Sequence, residues 1–135
     1  MTTVLCHGVF DMLHYGHVEH LREARGFGDR LVVSLVPDIY LSRKKYPILC
    51  SEDIRRNMLL ALKCVDEVFL CNAPGPELVL RSLRPNIYAR GSDYMGKYMP
   101  ESKILEEFEI QVRYTAASIF PRRSEIIGTI IAGFK

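Results

Sequence analysis

The fold of this chain is decided by one stretch of sequence, Cys6-His7-Gly8-Val9-Phe10-Asp11-Met12-Leu13-His14-Tyr15-Gly16-His17. A short apolar run precedes it and an amphipathic segment, 18–25, follows it, which predicts a strand, a glycine-bearing loop and the start of a helix. The first turn of a helix has unpaired N–H groups and the positive end of the dipole, and both attract phosphate. Gly16 allows a phosphate to approach the backbone, while His14 and His17 can add donors or positive charge. The stretch therefore predicts a binding loop for nucleotide phosphates.

The rest of the chain alternates short apolar runs with amphipathic segments. Strands are predicted at 4–6, 30–36, 67–71, 86–90 and 111–114. Helices are predicted at 18–25, 51–65, 76–83, 103–109 and 124–134, with Ser51 and Ser124 as N-caps. This rhythm predicts an α/β fold, a Rossmann-like open parallel sheet of about five strands with helices on both faces. One domain over residues 1–135 is expected, with its ligand beyond the carboxyl ends of the strands.

Composition narrows the classes of function. A hydrophobic content of 48% and a charged content of 25% are typical of a globular domain, and a net charge of +2 does not indicate a nucleic-acid partner. No apolar run approaches the roughly 20 residues that span a bilayer, and the N-terminus lacks the pattern of a signal peptide. The four cysteines have no C-x-x-C pairing and are expected to be free thiols. We therefore expect a cytoplasmic protein without membrane insertion.

The residues from Gly8 to His17 match every fixed position of G-x-F-D-x-x-H-x-G-H, the signature of the cytidylyltransferases, and the similarity extends over residues 3–127. The chain most resembles the bacterial glycerol-3-phosphate cytidylyltransferases. The adenylyltransferase half of the heptose-phosphate enzymes and the ethanolamine- and choline-phosphate cytidylyltransferases follow closely. The resemblance implies a magnesium-dependent transfer of a nucleotide to a small phosphorylated alcohol or sugar, with release of pyrophosphate.

The expected nucleotide is CTP, because the cytidylyltransferase signature is complete. ATP with a heptose-like sugar phosphate is the alternative, because Gly91-Ser92-Asp93-Tyr94 resembles that subgroup. A non-catalytic nucleotide-binding domain is the alternative of another class. Relatives often dimerise and often supply activated precursors for surface polysaccharide, so the resemblance implies a homodimer and a product of that kind.

The resemblance also implies roles for individual residues. The attacking phosphate is already an anion, so the reaction needs donors and positive charge around the α-phosphate rather than a general base. His14 and His17 are expected to contact the triphosphate, although their spacing alone also fits a loop histidine and a helix-cap histidine bound by backbone. Lys44, Lys45 and Arg55 are expected near the reacting phosphates, and which lysine is the equivalent one stays open. The other expected nucleotide-binding residues are Gly8, Val9, Phe10, Asp11, Gly16, Arg90, Gly91, Asp93, Arg122, Arg123 and Ser124.

Two metal sites are conceivable from the sequence. Asp11 is expected to order its loop and to meet Mg²⁺ mainly through the triphosphate, because Mg²⁺ prefers one or two carboxylates together with phosphate oxygens. All four histidines lie between positions 7 and 20, which raises a zinc site as the alternative, but no cysteine or carboxylate spacing supports it. His7 is then expected beside the nucleotide, and His20 is expected to be an ordinary helix residue. Asp38 either faces the nucleotide, as the resemblance implies, or starts a turn.

Residues 115–124 depart from the family pattern. Relatives have Arg-Thr-x-Gly-x-Ser-Thr-Thr after the last strand, whereas this chain lacks the glycine and has Arg122 and Arg123 where Ser-Thr would fall. Cations at a helix N-terminus oppose the dipole unless an anion meets them. At least one of the two arginines is therefore predicted to contact a phosphate, and the alternative is that both point to solvent.

Overall fold

The computed structural model describes residues 1–41, 47–116 and 123–133. Five strands alternate with five α-helices. The strands are β1 (Thr3–Gly8), β2 (Arg30–Leu35), β3 (Glu67–Leu70), β4 (Ile87–Gly91) and β5 (Gln111–Thr115). The helices are α1 (Tyr15–Arg25), α2 (Glu52–Leu60), α3 (Glu77–Leu83), α4 (Ser102–Glu107) and α5 (Arg123–Gly133). Short 3-10 turns follow β2 (Asp38–Tyr40) and β4 (Ser92–Tyr94).

The strands form one sheet in the order β3-β2-β1-β4-β5, and every pair is parallel. From β1 the chain moves outward to β2 and β3, and then returns to place β4 on the other side of β1. This reversal leaves a crevice between the loops that leave the carboxyl ends of β1 and β4, which is where open α/β sheets bind ligands. The predicted Rossmann-like parallel sheet of five strands is confirmed.

The core has two layers, because alternate residues of a strand point to opposite faces of the sheet. Val4 and Cys6 pack with Leu21 of α1 and Leu59 of α2. On the other face, Leu5 and the remaining buried side chains of that layer pack against α3 and α4; they include Leu80, Tyr88, Ile104 and Leu105. We call these the α1 face and the α3 face. Helices therefore cover both faces of the sheet, as predicted.

Two predicted helix boundaries were wrong. Helix α1 begins at Tyr15, three residues earlier than predicted, so that Gly16 and His17 belong to its first turn. The earlier start was missed because its cap uses imidazole nitrogens in place of the hydroxyl and carboxyl groups that usually mark a helix start. Helix α5 begins at Arg123, which places Ser124 inside the first turn instead of at the N-cap position. Ser51 does cap α2, accepting a hydrogen bond from Ile54 N at 3.4 Å.

All four cysteines are free thiols. None of the helices in the described ranges combines the length and the apolar character needed to cross a bilayer.

Candidate active site

An open cleft of roughly 760 Å³ lies at the carboxyl ends of β1 and β4, where the strand order reverses. The motif loop runs through its centre and divides it into two parts. We call the part on the α1 face the histidine half; it is lined by Phe10, His17, His20 and Asp93. We call the part on the α3 face the Arg90 half; its lining residues include His7, Pro74, Gly75, Pro76, Tyr88, Arg90 and Glu101.

In the histidine half, two imidazoles cap helix α1. His14 precedes the helix and accepts a hydrogen bond from Gly16 N at its Nδ1 atom, 3.1 Å away. In return His14 N donates to Nδ1 of His17 at 3.3 Å, which completes a reciprocal capping box. The rings stack with centroids 3.9 Å apart, and Phe10 packs edge-on against His17 at 5.5 Å.

The capping box selects one tautomer of each histidine. Because Nδ1 accepts a hydrogen bond in both rings, the hydrogen of the neutral ring is on Nε2. The cap role that spacing alone suggested is thus present, and it leaves the Nε2–H of His14 and His17 as directed donors. Backbone capping and ligand binding are compatible, since they use opposite edges of the same ring.

Both rings are neutral at pH 7. Burial, followed by the neighbouring His14 and His20, lowers the pKa of His17 to about 4. Burial also lowers the pKa of His14. In the free protein this pair therefore supplies hydrogen-bond donors, and the positive potential comes from the N-terminus of α1.

Asp11 holds the segment that precedes α2 against the motif loop. Its side chain is buried, and its two carboxylate oxygens accept from Leu49 N at 3.0 Å and Cys50 N at 2.9 Å. Asp11 also lines the cleft. The part of its expected role that concerns loop order is therefore visible in the structure.

Arg55 lies beneath the cleft, with only 1% of its surface exposed. Its guanidinium donates to Cys50 O at 3.1 Å, to Val9 O and Val36 O at 2.9 Å, and to the Asp38 carboxylate at 2.7 Å. These acceptors belong to the loop after β1, the loop after β2 and the start of α2. Arg55 thus joins three segments and is not among the residues that line the cleft.

Asp38 has the turn role that the sequence left open. In addition to its ion pair with Arg55, its carboxylate accepts from Glu52 N at 3.1 Å, and the Glu52 carboxylate accepts from Asp38 N at 3.0 Å. This reciprocal pair fixes the first turn of α2 to the end of β2.

Two further histidines line the cleft. His20, expected to be an ordinary helix residue, forms a hydrogen bond through Nδ1 with Thr115 Oγ1 at 2.6 Å and so connects α1 to the end of β5. Its position three residues after His17 places both on one helix side, a signal that the sequence did contain. His7 forms a hydrogen bond with Ser34 Oγ at 2.7 Å through Nδ1 and lies in the Arg90 half. Burial lowers the pKa of both rings.

An ion pair dominates the Arg90 half. Arg90 Nη1 donates to the Glu101 carboxylate at 2.7 Å, and the guanidinium lies 4.1 Å from the ring centroid of Tyr94 and 5.7 Å from that of Tyr88. Glu101 and Tyr88 are each only 3% exposed, and burial raises the pKa of the Glu101 carboxyl. The sequence analysis did not identify Tyr88 or Glu101, because a tyrosine within a strand and a glutamate before a helix have no local signature.

Glycines bring the loops close together at two of the predicted positions. A Cβ on Gly8 would lie 3.0 Å from the Phe10 ring, and one on Gly91 would lie 2.6 Å from an Asp93 carboxylate oxygen. Of the remaining predicted site residues, Lys44, Lys45 and Arg122 lie outside the described residues, as does the side chain of Arg123. Ser124 is exposed in the first turn of α5.

The described cleft favours a metal ion that arrives with a ligand. Within residues 1–41, 47–116 and 123–133, no three histidine, cysteine, aspartate or glutamate side chains are grouped so that they could hold a metal. Asp11 and Asp93 are the carboxylates that line the histidine half and its border with the motif loop. One or two carboxylates fit Mg²⁺ bound chiefly by phosphate oxygens, and they do not fit a protein cage for zinc.

Comparison with known proteins gives consistent results. Residues 5–132 match the family model described as cytidylyltransferase-like. The bifunctional protein HldE of Streptomyces coelicolor is 41% identical over 110 residues, and that of Helicobacter pylori strain HPAG1 is 34% identical over 125 residues. These alignments include 79% and 88% of this chain but only 24% and 27% of the relatives, so the chain spans about a quarter of their length.

A solved structure resembles the whole chain. The lipopolysaccharide core biosynthesis protein of Thermoplasma volcanium has a TM-score of 0.72 and 29% identity, and the match covers 90% of this chain and 99% of that one. A pantothenate synthetase from Thermus thermophilus, at 14% identity and a TM-score of 0.60, shares the fold.

Proposed function

Because the chain belongs to the cytidylyltransferase-like family, we propose that it transfers a nucleotidyl group from a nucleoside triphosphate to the phosphate of a small sugar or alcohol. One oxygen of the acceptor phosphate attacks the α-phosphorus and forms the new P–O bond. The bond from the α-phosphorus to the oxygen that bridges to the β-phosphate breaks, and pyrophosphate leaves with the electron pair. The attacking oxygen is already anionic near neutral pH, so no proton has to be removed.

The reciprocal histidine cap is the observation that carries this proposal. It fixes two Nε2–H donors beside the N-terminus of α1, whose free N–H groups also favour an anion. Negative charge builds on the non-bridging oxygens of the α-phosphate and on the departing pyrophosphate during the reaction. Donors that are held in place before the reaction stabilise that charge without reorganisation.

Asp11 and Arg55 act in this proposal as positioning residues. Asp11 binds two consecutive backbone amides of the segment before α2, and Arg55 binds three backbone carbonyls beneath the same region. Together they set the distance between the motif loop and α2. Lys44 and Lys45 lie in the segment between these anchors and are proposed to bind the phosphates of the substrates.

A Mg²⁺ ion bound mainly to the triphosphate would neutralise part of the charge on the leaving pyrophosphate. Asp11 is the residue proposed to face that ion, since it lines the cleft at the centre of the motif loop. Arg122 and Arg123 are proposed to meet a phosphate at the start of α5.

We propose ATP as the nucleotide and a heptose-like sugar phosphate as the acceptor. Two observations support this choice: the relatives named HldE, and the likeness of Gly91–Tyr94 to the adenylyltransferase half of the heptose-phosphate enzymes. The Thermoplasma volcanium protein, named for lipopolysaccharide core biosynthesis, supports a role in surface polysaccharide. CTP is the second candidate, favoured by the complete G-x-F-D-x-x-H-x-G-H signature. A homodimer in the cytoplasm stays a prediction.

A matrix of substrates tests the proposal. The purified chain is incubated with Mg²⁺, each of four ribonucleoside triphosphates and a panel of sugar and alditol phosphates, and pyrophosphate release is measured. We expect the highest kcat/KM with ATP and a sugar phosphate. A preference for CTP would restore the glycerol-3-phosphate-like assignment. Binding of ATP without pyrophosphate release from any pair would instead indicate a non-catalytic nucleotide-binding domain.

A further inference from the structure

The Arg90 half of the cleft contains polar groups that the nucleotidyl transfer itself does not require. Its walls are formed by Pro74, Pro76, Pro100 and the Tyr94 ring, and its polar atoms belong to His7, Tyr88, Arg90 and Glu101. It lies on the α3 face, across the motif loop from the histidine pair. A molecule whose phosphate reacts at the histidines can therefore extend its other end into this half.

Tyr88 indicates that a polar ligand group belongs there. The residue is 97% buried by the measure that leaves 3% of its surface exposed, yet its hydroxyl makes no hydrogen bond with any residue in the described ranges. A buried hydroxyl without a partner is costly, and such groups in native proteins usually meet a ligand or water. Tyr88 also lines the cleft, so its hydroxyl is placed beside the space that a ligand would occupy.

The charges in this half argue against an ionic ligand group. Glu101 neutralises Arg90 through the 2.7 Å ion pair, so that no net positive charge remains to hold a second phosphate. The guanidinium of Arg90 also lies over the Tyr94 ring at 4.1 Å and near the Tyr88 ring at 5.7 Å. The aromatic faces that could bind an ammonium group are therefore already beside a cation of the protein.

We propose that the Arg90 half is the acceptor subsite and that it recognises the uncharged, polyhydroxylated end of a phosphate monoester. The Tyr88 hydroxyl and the Glu101 carboxylate hydrogen-bond acceptor hydroxyls, and the proline and tyrosine walls pack against the carbon skeleton. Arg90, which the sequence assigned to the nucleotide, becomes a specificity-determining residue for the acceptor. This inference rests on the proposed function and narrows its substrate class.

The first test uses steady-state kinetics of the full chain with its best nucleotide. Tyr88→Phe removes one hydroxyl and keeps the buried ring. We expect the KM for a polyol phosphate to rise about five- to tenfold, as for one lost hydrogen bond, with the KM for the nucleotide within twofold of wild type. Tyr114→Phe is the matched control, because Tyr114 lies on β5 outside the cleft lining, and it should change neither constant.

The second test measures discrimination between acceptors. Wild type should use sugar and alditol monophosphates and should discriminate at least tenfold against phosphoethanolamine, phosphocholine and sugar bisphosphates. Glu101→Gln leaves Arg90 without its counter-charge, so the ratio of kcat/KM should shift at least fivefold toward a sugar bisphosphate. Glu107→Gln, on the same helix but about half-exposed and paired with Arg81 at 3.5 Å, should leave the ratio unchanged.

The outcomes separate the two proposals. If wild type releases no pyrophosphate from any pair, both the proposed function and the acceptor subsite fail. If wild type is active but Tyr88→Phe and Glu101→Gln alter only the KM for the nucleotide, or neither KM, the subsite assignment is overturned and the function stands. Circular dichroism and thermal melts confirm that each variant is folded before its constants are compared.

Discussion

The histidine pair and Arg55 entered this work with the same expectation, that their side chains contact the reacting phosphates. In the structure they differ in which donors remain available. His14 and His17 use Nδ1 for the helix cap and keep Nε2–H, whereas Arg55 donates to four protein acceptors and has 1% of its surface exposed. A residue type that suits phosphate chemistry therefore does not by itself identify a phosphate ligand. What decides the role is which hydrogen atoms remain after the fold has been built.

The largest expected effect concerns stability. Arg55→Met removes a buried cation and leaves three carbonyls and the Asp38 carboxylate without their donor. The free energy of unfolding should fall by about 3–5 kcal/mol, as is typical when one partner of a buried ion pair is lost. Urea denaturation measures the change. Arg56→Met is the control, because its pair with Asp53 at 3.6 Å is exposed, and it should cost less than about 0.5 kcal/mol. A stable Arg55→Met protein with a raised KM for substrate would instead place Arg55 in the site.

The histidine cap allows chemistry and structure to be separated. Glutamine at position 17 can still complete a capping box, so His17→Gln should keep the stability within about 1 kcal/mol while it removes the imidazole donor. The kcat should fall roughly 100-fold or more, which corresponds to about 2.7 kcal/mol of transition-state stabilisation. His14→Asn applies the same logic at the N-cap position. A His17→Gln enzyme with nearly full activity would leave the two histidines as cap residues only.

Asp11 should show an intermediate effect. Asp11→Asn keeps one acceptor oxygen but turns an NH2 group toward a backbone amide, so one of the bonds to Leu49 N and Cys50 N is lost. We expect a loss of about 1–2 kcal/mol in unfolding free energy. Because the segment before α2 loosens, the KM for the nucleotide should rise more than kcat falls. A decrease in kcat that excess Mg²⁺ restores would instead indicate a direct role in metal binding.

The smallest expected effect is a pH dependence of stability. The pKa of His17 is about 4 in the folded protein and about 6.5 when unfolded, so only the unfolded chain takes up a proton between these values. Stability from this group is complete above pH 6.5 and is lost as the pH falls toward 4. Between pH 7 and 5 the loss should be about 1 kcal/mol, since water screens a partly buried ring. His17→Gln should reduce that slope in urea titrations, and an unchanged slope would assign it to other groups.

Several features were predictable because their signals are local. The alternation of apolar runs and amphipathic segments predicted the five strands and the helices between them, since each strand buries both faces in a doubly covered sheet. Ser51 followed by Glu52 and Asp53 predicted the start of α2 correctly. The ten-residue signature predicted the family, because its fixed positions are closely spaced.

The sequence by itself determined the α/β fold, the family and the position of the phosphate-binding loop. Tertiary structure decided which side chains face the cleft. Asp11 became buried against Leu49 and Cys50, 38 and 39 residues along the chain, and Glu101 came to pair with Arg90 across the cleft wall. Such pairings depend on how α2 and α4 pack on the sheet, and no spacing along the chain encodes them. The sequence therefore placed the chemistry at one edge of the sheet, while packing selected the donors and acceptors that remain available there.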